Sequence, residues 1–130
     1  MKKDIPFLPV EGVFLVVASN EENQWHVYLV NENPFALENV IINSRGYGEK
    51  DGAPQQTSVL RHMFPRVEAE EYITIELIDP SVFHLNNEYW ISYFVEQQIY
   101  DKKFIFLPDS IVPENVSFIP QIGMKGILHR

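Results

Sequence analysis

No stretch of this sequence carries a helical period longer than two turns. Its apolar residues come in short β-branched and aromatic runs, cut by clusters of Pro, Gly and Asn. A chain of that pattern folds by stacking strands. The first run is Gly12 to Ala18. The second, Gln24 to Asn31, closes on Asn31-Glu32-Asn33-Pro34, which is turn chemistry. The third covers Leu37 to Asn43. The segment Ser44 to Gln56 is rich in Gly and polar residues and holds Asp51-Gly52 and Pro54, so it reads as an exposed loop. A short strand comes next over Thr57 to Met63, and Glu68 to Glu71 is read as a solvated acidic turn. Tyr72 to Ile78 alternates, with Ile73, Ile75 and Leu77 on one side and Thr74 and Glu76 on the other. Asp79-Pro80 ends that strand, and Ser81 to Leu85 suits a single helical turn.

The segment Glu88 to Glu96 is apolar on both faces. Tyr89, Ile91, Tyr93 and Val95 share one, and Trp90 and Phe94 the other. A strand of this kind is covered on both sides. Gln97-Gln98 reads as a tight turn into Ile99 to Leu107, where Tyr100, Phe104 and Phe106 share a face; this is the best hairpin in the chain. Trp90 is expected to face the core. Tyr89, Ile91 and Tyr93 then form an outer interface, covered by a second copy or by the C-terminal tail, with the dimer favoured. That tail starts at about residue 108, carries Pro113, Pro120, Gly123 and Gly126, and reads as extended with one further short strand. Roughly seven strands, spaced about ten residues apart, predict a two-layer antiparallel β-sandwich of the immunoglobulin or fibronectin kind, with a barrel as the alternative. The whole chain, 1–130, reads as a single all-β domain.

Composition narrows the function. Hydrophobic residues are 45% and charged residues 22%, which is enough apolar content for a core without a staple. There is no cysteine, which excludes disulfides, thiolate metal sites and a cysteine nucleophile, and favours the cytoplasm. Lys2 and Lys3 are followed by Asp4, Pro6 and Pro9, and the apolar run Val13 to Ala18 is too short for an export signal or a membrane span. Eighteen acids against ten bases give a net charge of −8, so nucleic acid is not an expected partner.

Few side chains suggest chemistry. His26, His62, His84 and His129 are not spaced as metal ligands, and no metal or cofactor is predicted. His26 reads as a hydrogen-bonded strand residue, while His84 and His129 are expected near solvent. Arg61-His62 is the polar pair that stands out. Arg61 offers a planar fork for a carboxylate or phosphate, or else for an ion pair with one of the chain's own acids. Arg45, at the head of Arg45-Gly46-Tyr47-Gly48, joins Arg61 and His62 as a candidate ligand-binding residue, although that stretch lacks the ending of a phosphate loop. Gly123-Met124-Lys125-Gly126 spells the pattern of some RNA-binding loops without the helices that support it. No serine has a nucleophile-elbow context and no carboxylate pair is marked out, so no catalytic residue is predicted.

Trp25-His26-Val27-Tyr28-Leu29-Val30-Asn31, Ser44-Arg45-Gly46, Thr57-Ser58-Val59-Leu60-Arg61-His62, Leu85-Asn86-Asn87-Glu88 and Lys125-Gly126-Ile127-Leu128, with the opening Lys3-Asp4-Ile5-Pro6, run in order along nearly the full chain. Together they resemble a family of small uncharacterised bacterial proteins often labelled in genomes as a phenylalanyl-tRNA synthetase subunit. The resemblance implies an accessory factor in tRNA or translation biology. Aminoacylation itself is not expected, since the chain is too short for a class II catalytic domain and has no Gly-rich motif ending in Glu-Arg. The expected function is therefore a non-catalytic β-sandwich that binds another protein or itself. The alternatives are a small-ligand binder or enzyme using Arg61 and His62, and the translation factor.

Overall fold

The computed structural model describes residues 8–130; the opening Lys3-Asp4-Ile5-Pro6 lies outside them. The described chain forms ten strands in chain order: β1 (Val13–Ser19), β2 (Trp25–Asn31), β3 (Leu37–Lys50), β4 (Ala53–Gln56), β5 (Leu60–Val67), β6 (Tyr72–Leu77), β7 (Asn86–Val95), β8 (Gln98–Phe106), β9 (Ser117–Ile119) and β10 (Met124–His129). Two short 3-10 turns, Pro80–Val82 and Pro113–Asn115, are the only helical pieces among the described residues. No helix there is long and apolar enough to cross a membrane. The strands make two antiparallel five-stranded sheets. Sheet I runs β6-β2-β1-β10-β9. Sheet II runs β4-β3-β7-β8, with β5 also paired to β3. The fold is a β-sandwich, and the sheets do not close into a barrel.

The strand count exceeds the expected seven because the segment read as a loop is a hairpin that adds β4, and because the tail forms two strands, β9 and β10. β3 runs on to Lys50, and Asp51 and Gly52, both at positive φ, turn it directly into β4, with Lys50 opposite Ala53. A two-residue turn with two left-handed positions matches the twist of the flanking strands. The polar character of Ser44 to Lys50 disguised it. β4 and β5 lie end to end along one edge of the long β3, and β7 takes the other edge. The β7–β8 hairpin forms as expected, but its turn is Glu96-Gln97, with Glu96 left-handed at φ 56°.

Alternation places the core. From sheet I, Leu15, Val17, Val27 and Leu29 face inward; from sheet II, Val40, Ile42, Tyr89, Ile91, Tyr93, Phe104 and Phe106 meet them. This reverses the expected faces of β7. Tyr89, Ile91 and Tyr93 are 1–2% exposed and belong to the core, whereas Trp90 is 45% exposed on the outer face. They are therefore not an interface. Strongly apolar residues on both faces made the choice undecidable from β7 alone. Pairing decides it, because Ile42 of β3 lies opposite Ile91 and carries it inward.

A second apolar cluster sits on the outside of sheet I, where Phe14, Val16, Ala18, Tyr28 and Val30 pack against Ile119 and Ile122. β1 is thus buried on both faces at the centre of its sheet. The C-terminal tail does cover a second face, as one alternative had it, but that of β1 and not that of β7. β10 lies tight on β1: a Cβ on Gly126 would come within 2.7 Å of the Val16 side chain and 2.9 Å of the Val17 carbonyl. Gly126 serves close strand packing, and Gly123, at φ 67°, serves a turn.

The two faces of β7 should respond differently to truncation. Ile91→Ala is expected to destabilise the chain by about 2–5 kcal/mol. Trp90→Ala should cost well under half of that. Urea denaturation of both variants measures the difference, which vanishes if the faces are the other way round.

Candidate functional site

Arg61 and His62 are neighbours on β5, so their side chains leave opposite faces of sheet II. His62 turns inward to the sandwich and Arg61 outward, and one site cannot hold both side chains. Arg45 lies on Arg61's side. Trp90, Asn43 and Arg61 form one row across β7, β3 and β5, and Arg45, opposite Glu88, belongs to the next. The structure therefore divides the candidate residues between two places.

The inner place is built by a β-bulge. Val27 pairs with Glu76 and Tyr28 with Thr74, which leaves Ile75 without an opposite residue. A bulge lets two neighbours share a face and re-aims the side chains after it. Ile75 and Glu76 both point inward, and Leu77, expected inside, is 61% exposed. The Glu76 side chain is only 13% exposed. Its Oε1 accepts from the Ser44 hydroxyl at 2.8 Å and lies 2.7 Å from His62 Nε2. Its Oε2 accepts from the Tyr89 hydroxyl at 3.1 Å. Ser44 is on β3, His62 on β5, Tyr89 on β7 and Glu76 on the facing sheet, so one carboxylate ties four strands. Burial, reinforced by the charge of Glu76 and the hydrogen bond to it, pushes the Tyr89 phenol well above its usual range.

Beside this group a cleft of about 350 Å³ opens between the sheets. Its walls include Gly46, Thr57, Ser58, Glu76, Asp79 and Asn87. The Gly46 amide donates to Thr57 Oγ1 at 2.7 Å, and the Thr57 amide donates back to the Gly46 carbonyl at 2.9 Å, which fixes that wall. Asp79 stands at the end of β6 and accepts from the Ser81 amide at 2.8 Å, a bond that lowers its carboxyl below the ordinary value.

The outer place is the exposed face of sheet II. Arg45 Nε donates to Glu88 at 3.1 Å and Nη2 does so at 3.4 Å, while Lys103 Nζ is 3.9 Å from the same carboxylate. Glu88 is almost fully buried beneath them. Its hydrogen bond and charge raise Arg45 above its usual value. Lys103 Nζ also lies 4.6 Å above the Trp90 ring, and the indole N–H donates to Asp101 at 2.7 Å. Arg61 has no ion pair with any described residue, so of its two expected roles the internal ion pair is not formed.

Of the other histidines, only His26 departs from what its position in the sequence suggests; His84 and His129 are half-exposed. His26 Nδ1 is buried without a hydrogen-bond partner among the described residues. His84 Nε2 is 2.7 Å from Gln55 Oε1. His129 sits edge-on to Phe104 and Phe106, with ring centroids 5.5 and 5.4 Å away. No group of three His, Asp or Glu side chains among the described residues could hold a metal ion. Glu76, Ser44 and Tyr89 do not stand out as a unit in the sequence. The available signal was a lone acid inside an otherwise apolar-alternating strand; its inward turn depends on the bulge.

The buried carboxylate and phenols can each be tested. Glu76→Ala leaves the Tyr89 and Ser44 hydroxyls without their acceptor, and urea denaturation should show a loss of about 1–3 kcal/mol. Burial raises Tyr89, and burial with the neighbouring Tyr100 raises Tyr93. The unfolded chain loses these protons at lower pH than the folded one. The stability they contribute is therefore whole below the ordinary phenol value of 10.0 and falls as pH rises above it. Absorbance at 295 nm should titrate fewer than the six tyrosines until the chain unfolds in alkali.

No family model matches the chain, and no curated protein or solved structure does.

Proposed function

We propose that this chain is a non-catalytic binding module that recognises another protein through the outer face of sheet II. The observation that carries the reading is an uncovered apolar surface set among cations. Val59, Met63 and Trp90 are 64, 68 and 45% exposed, and no described segment forms a layer over them. Isolated apolar side chains on a surface are ordinary, but Val59 and Trp90 border one depression of this face, and grouped exposed apolar side chains mark interaction sites. Trp and Arg are also the side chains that most often anchor such contacts.

Charge selects the kind of partner. Around Trp90 and Val59 lie Arg45, Arg61 and Lys103, with Glu88 and Asp101 among them, on a chain of net charge −8. Arg45 and Lys103 already share Glu88, which leaves the Arg61 guanidinium for a partner's carboxylate. A partner segment with an acid beside apolar side chains fits that arrangement. The Arg61 guanidinium, which has no ion pair among the described residues, favours a heterologous partner that supplies a carboxylate.

Met63→Asp combined with Trp90→Ala is expected to leave the fold intact, because neither side chain reaches the core. In cross-linking from the native host, the paired variant should lose the protein that the unmodified chain captures, and Arg61→Glu should lose it too. A partner retained by both variants would refute the reading, as would a partner that contacts only sheet I.

A further inference from the structure

We propose that the cleft beside Glu76 is a binding site for a small molecule that carries a primary ammonium on a short aliphatic stem. The hydrogen-bonding groups in its walls divide sharply into used and unused. Most side-chain donors are spent: Ser44 and Tyr89 give their hydroxyl hydrogens to Glu76, Thr57 gives its own to the Ser58 carbonyl at 3.0 Å, and Arg45 is turned to the outer face onto Glu88, which leaves the Ser58 hydroxyl. The Asn87 amide nitrogen donates to the Val82 carbonyl at 3.0 Å and to the Leu85 carbonyl at 3.2 Å. What remains is mainly acceptor capacity.

Asn87 is the second observation. It is only 6% exposed, it lines the cleft, and its Oδ1 has no hydrogen-bond partner among the described residues. That oxygen is not sealed from solvent, so it is open to a donor that enters the cleft. Glu76 Oε2 accepts one hydrogen bond where a carboxylate oxygen takes two. Asp79 adds a second acid at the rim, with one oxygen not engaged by the Ser81 amide. An ammonium has three donors and no acceptor, and so meets a wall of unused acceptors and negative charge. Leu60, Ile78 and Val82 supply apolar lining for a stem. The volume of about 350 Å³ sets the size at a small metabolite. Gly46 helps keep the space open, since a Cβ there would stand 3.4 Å from Asn87 Oδ1 and 3.0 Å from the Thr57 methyl.

The test is a titration of the full chain, labelled with nitrogen-15, against n-butylammonium, with n-butyrate as the control of opposite charge. Saturable amide shifts centred on Gly46, Thr57, Ser58 and Asn87 are expected with the amine and not with butyrate. Glu76→Gln should weaken amine binding by about tenfold or more, the value of one charge-assisted hydrogen bond. If that variant does not fold, Asp79→Asn, exposed and with its capping oxygen kept, should still weaken binding, and Ser58→Trp should block it. Equal shifts with butyrate, shifts confined to the Trp90 face, or no saturable shift with the amine would each overturn the proposal.

Discussion

A β-strand delivers its side chains alternately to two faces, and this molecule is organised by which of those faces meets the opposite sheet. Once Ile42 and Ile91 are paired inward, the rest of sheet II is set. Tyr89 and Tyr93 enter the core, His62 accompanies Ile42 inward, and Trp90, Arg45 and Arg61 are left outside. A slip of one residue would exchange the two sets and bury an indole with three cations. The register is therefore held by the large difference in cost between those outcomes. The proposed binding surface and the core are two faces of the same strands, so one register sets both.

Glu76 is the point at which alternation is broken. By period it belongs outside; the bulge at Ile75 brings it in, and a buried carboxylate has to be hydrogen-bonded. Three side chains from the other sheet do this, so a polar group fastens two apolar layers at their edge. Hydrophobic contact alone does not fix the relative position of two sheets closely, because it is not directional. Directed bonds from Ser44, His62 and Tyr89 to one carboxylate do. The same arrangement uses up the Ser44 and Tyr89 hydroxyls and leaves acceptors in the adjoining cleft, so the structural fastening and the proposed ligand chemistry share an origin.

Glu88 is a second buried acid with a different solution. It lies under the outer face and is met by Arg45 and Lys103, whose stems and charges cover it. Those two cations also flank aromatic rings: Arg45 lies 4.9 Å above Tyr47, and Lys103 lies above Trp90. The result is a surface on which exposed aromatic and aliphatic side chains lie among Arg45, Arg61 and Lys103. Glu88 is buried but Arg45 is half exposed, so the pair is partly screened by water.

Local pattern was enough for the fold class. The β-branched and aromatic runs, the Pro and Gly punctuation and the missing helical period lead to an antiparallel sandwich, and the bounds of β1, β2 and β6 were legible within a residue or so. Turn chemistry at Asp51-Gly52 was present in the sequence too, but its polar flanks hid the strands on either side. Which face of β7 is buried could not be read, because tyrosine and isoleucine on one side and tryptophan and phenylalanine on the other are comparably apolar. The position of Glu76 could not be read either, since a bulge depends on how β6 pairs with β2 and not on the composition of β6. Arg61 and His62 were singled out as a pair by adjacency, and strand geometry separates them. The sequence by itself determined that this chain would form strands and where most of them begin and end, because those are consequences of local stereochemistry and hydrophobic period. Only the tertiary structure decided which side chains meet, because pairing register and sheet stacking are set by contacts between residues far apart in the chain.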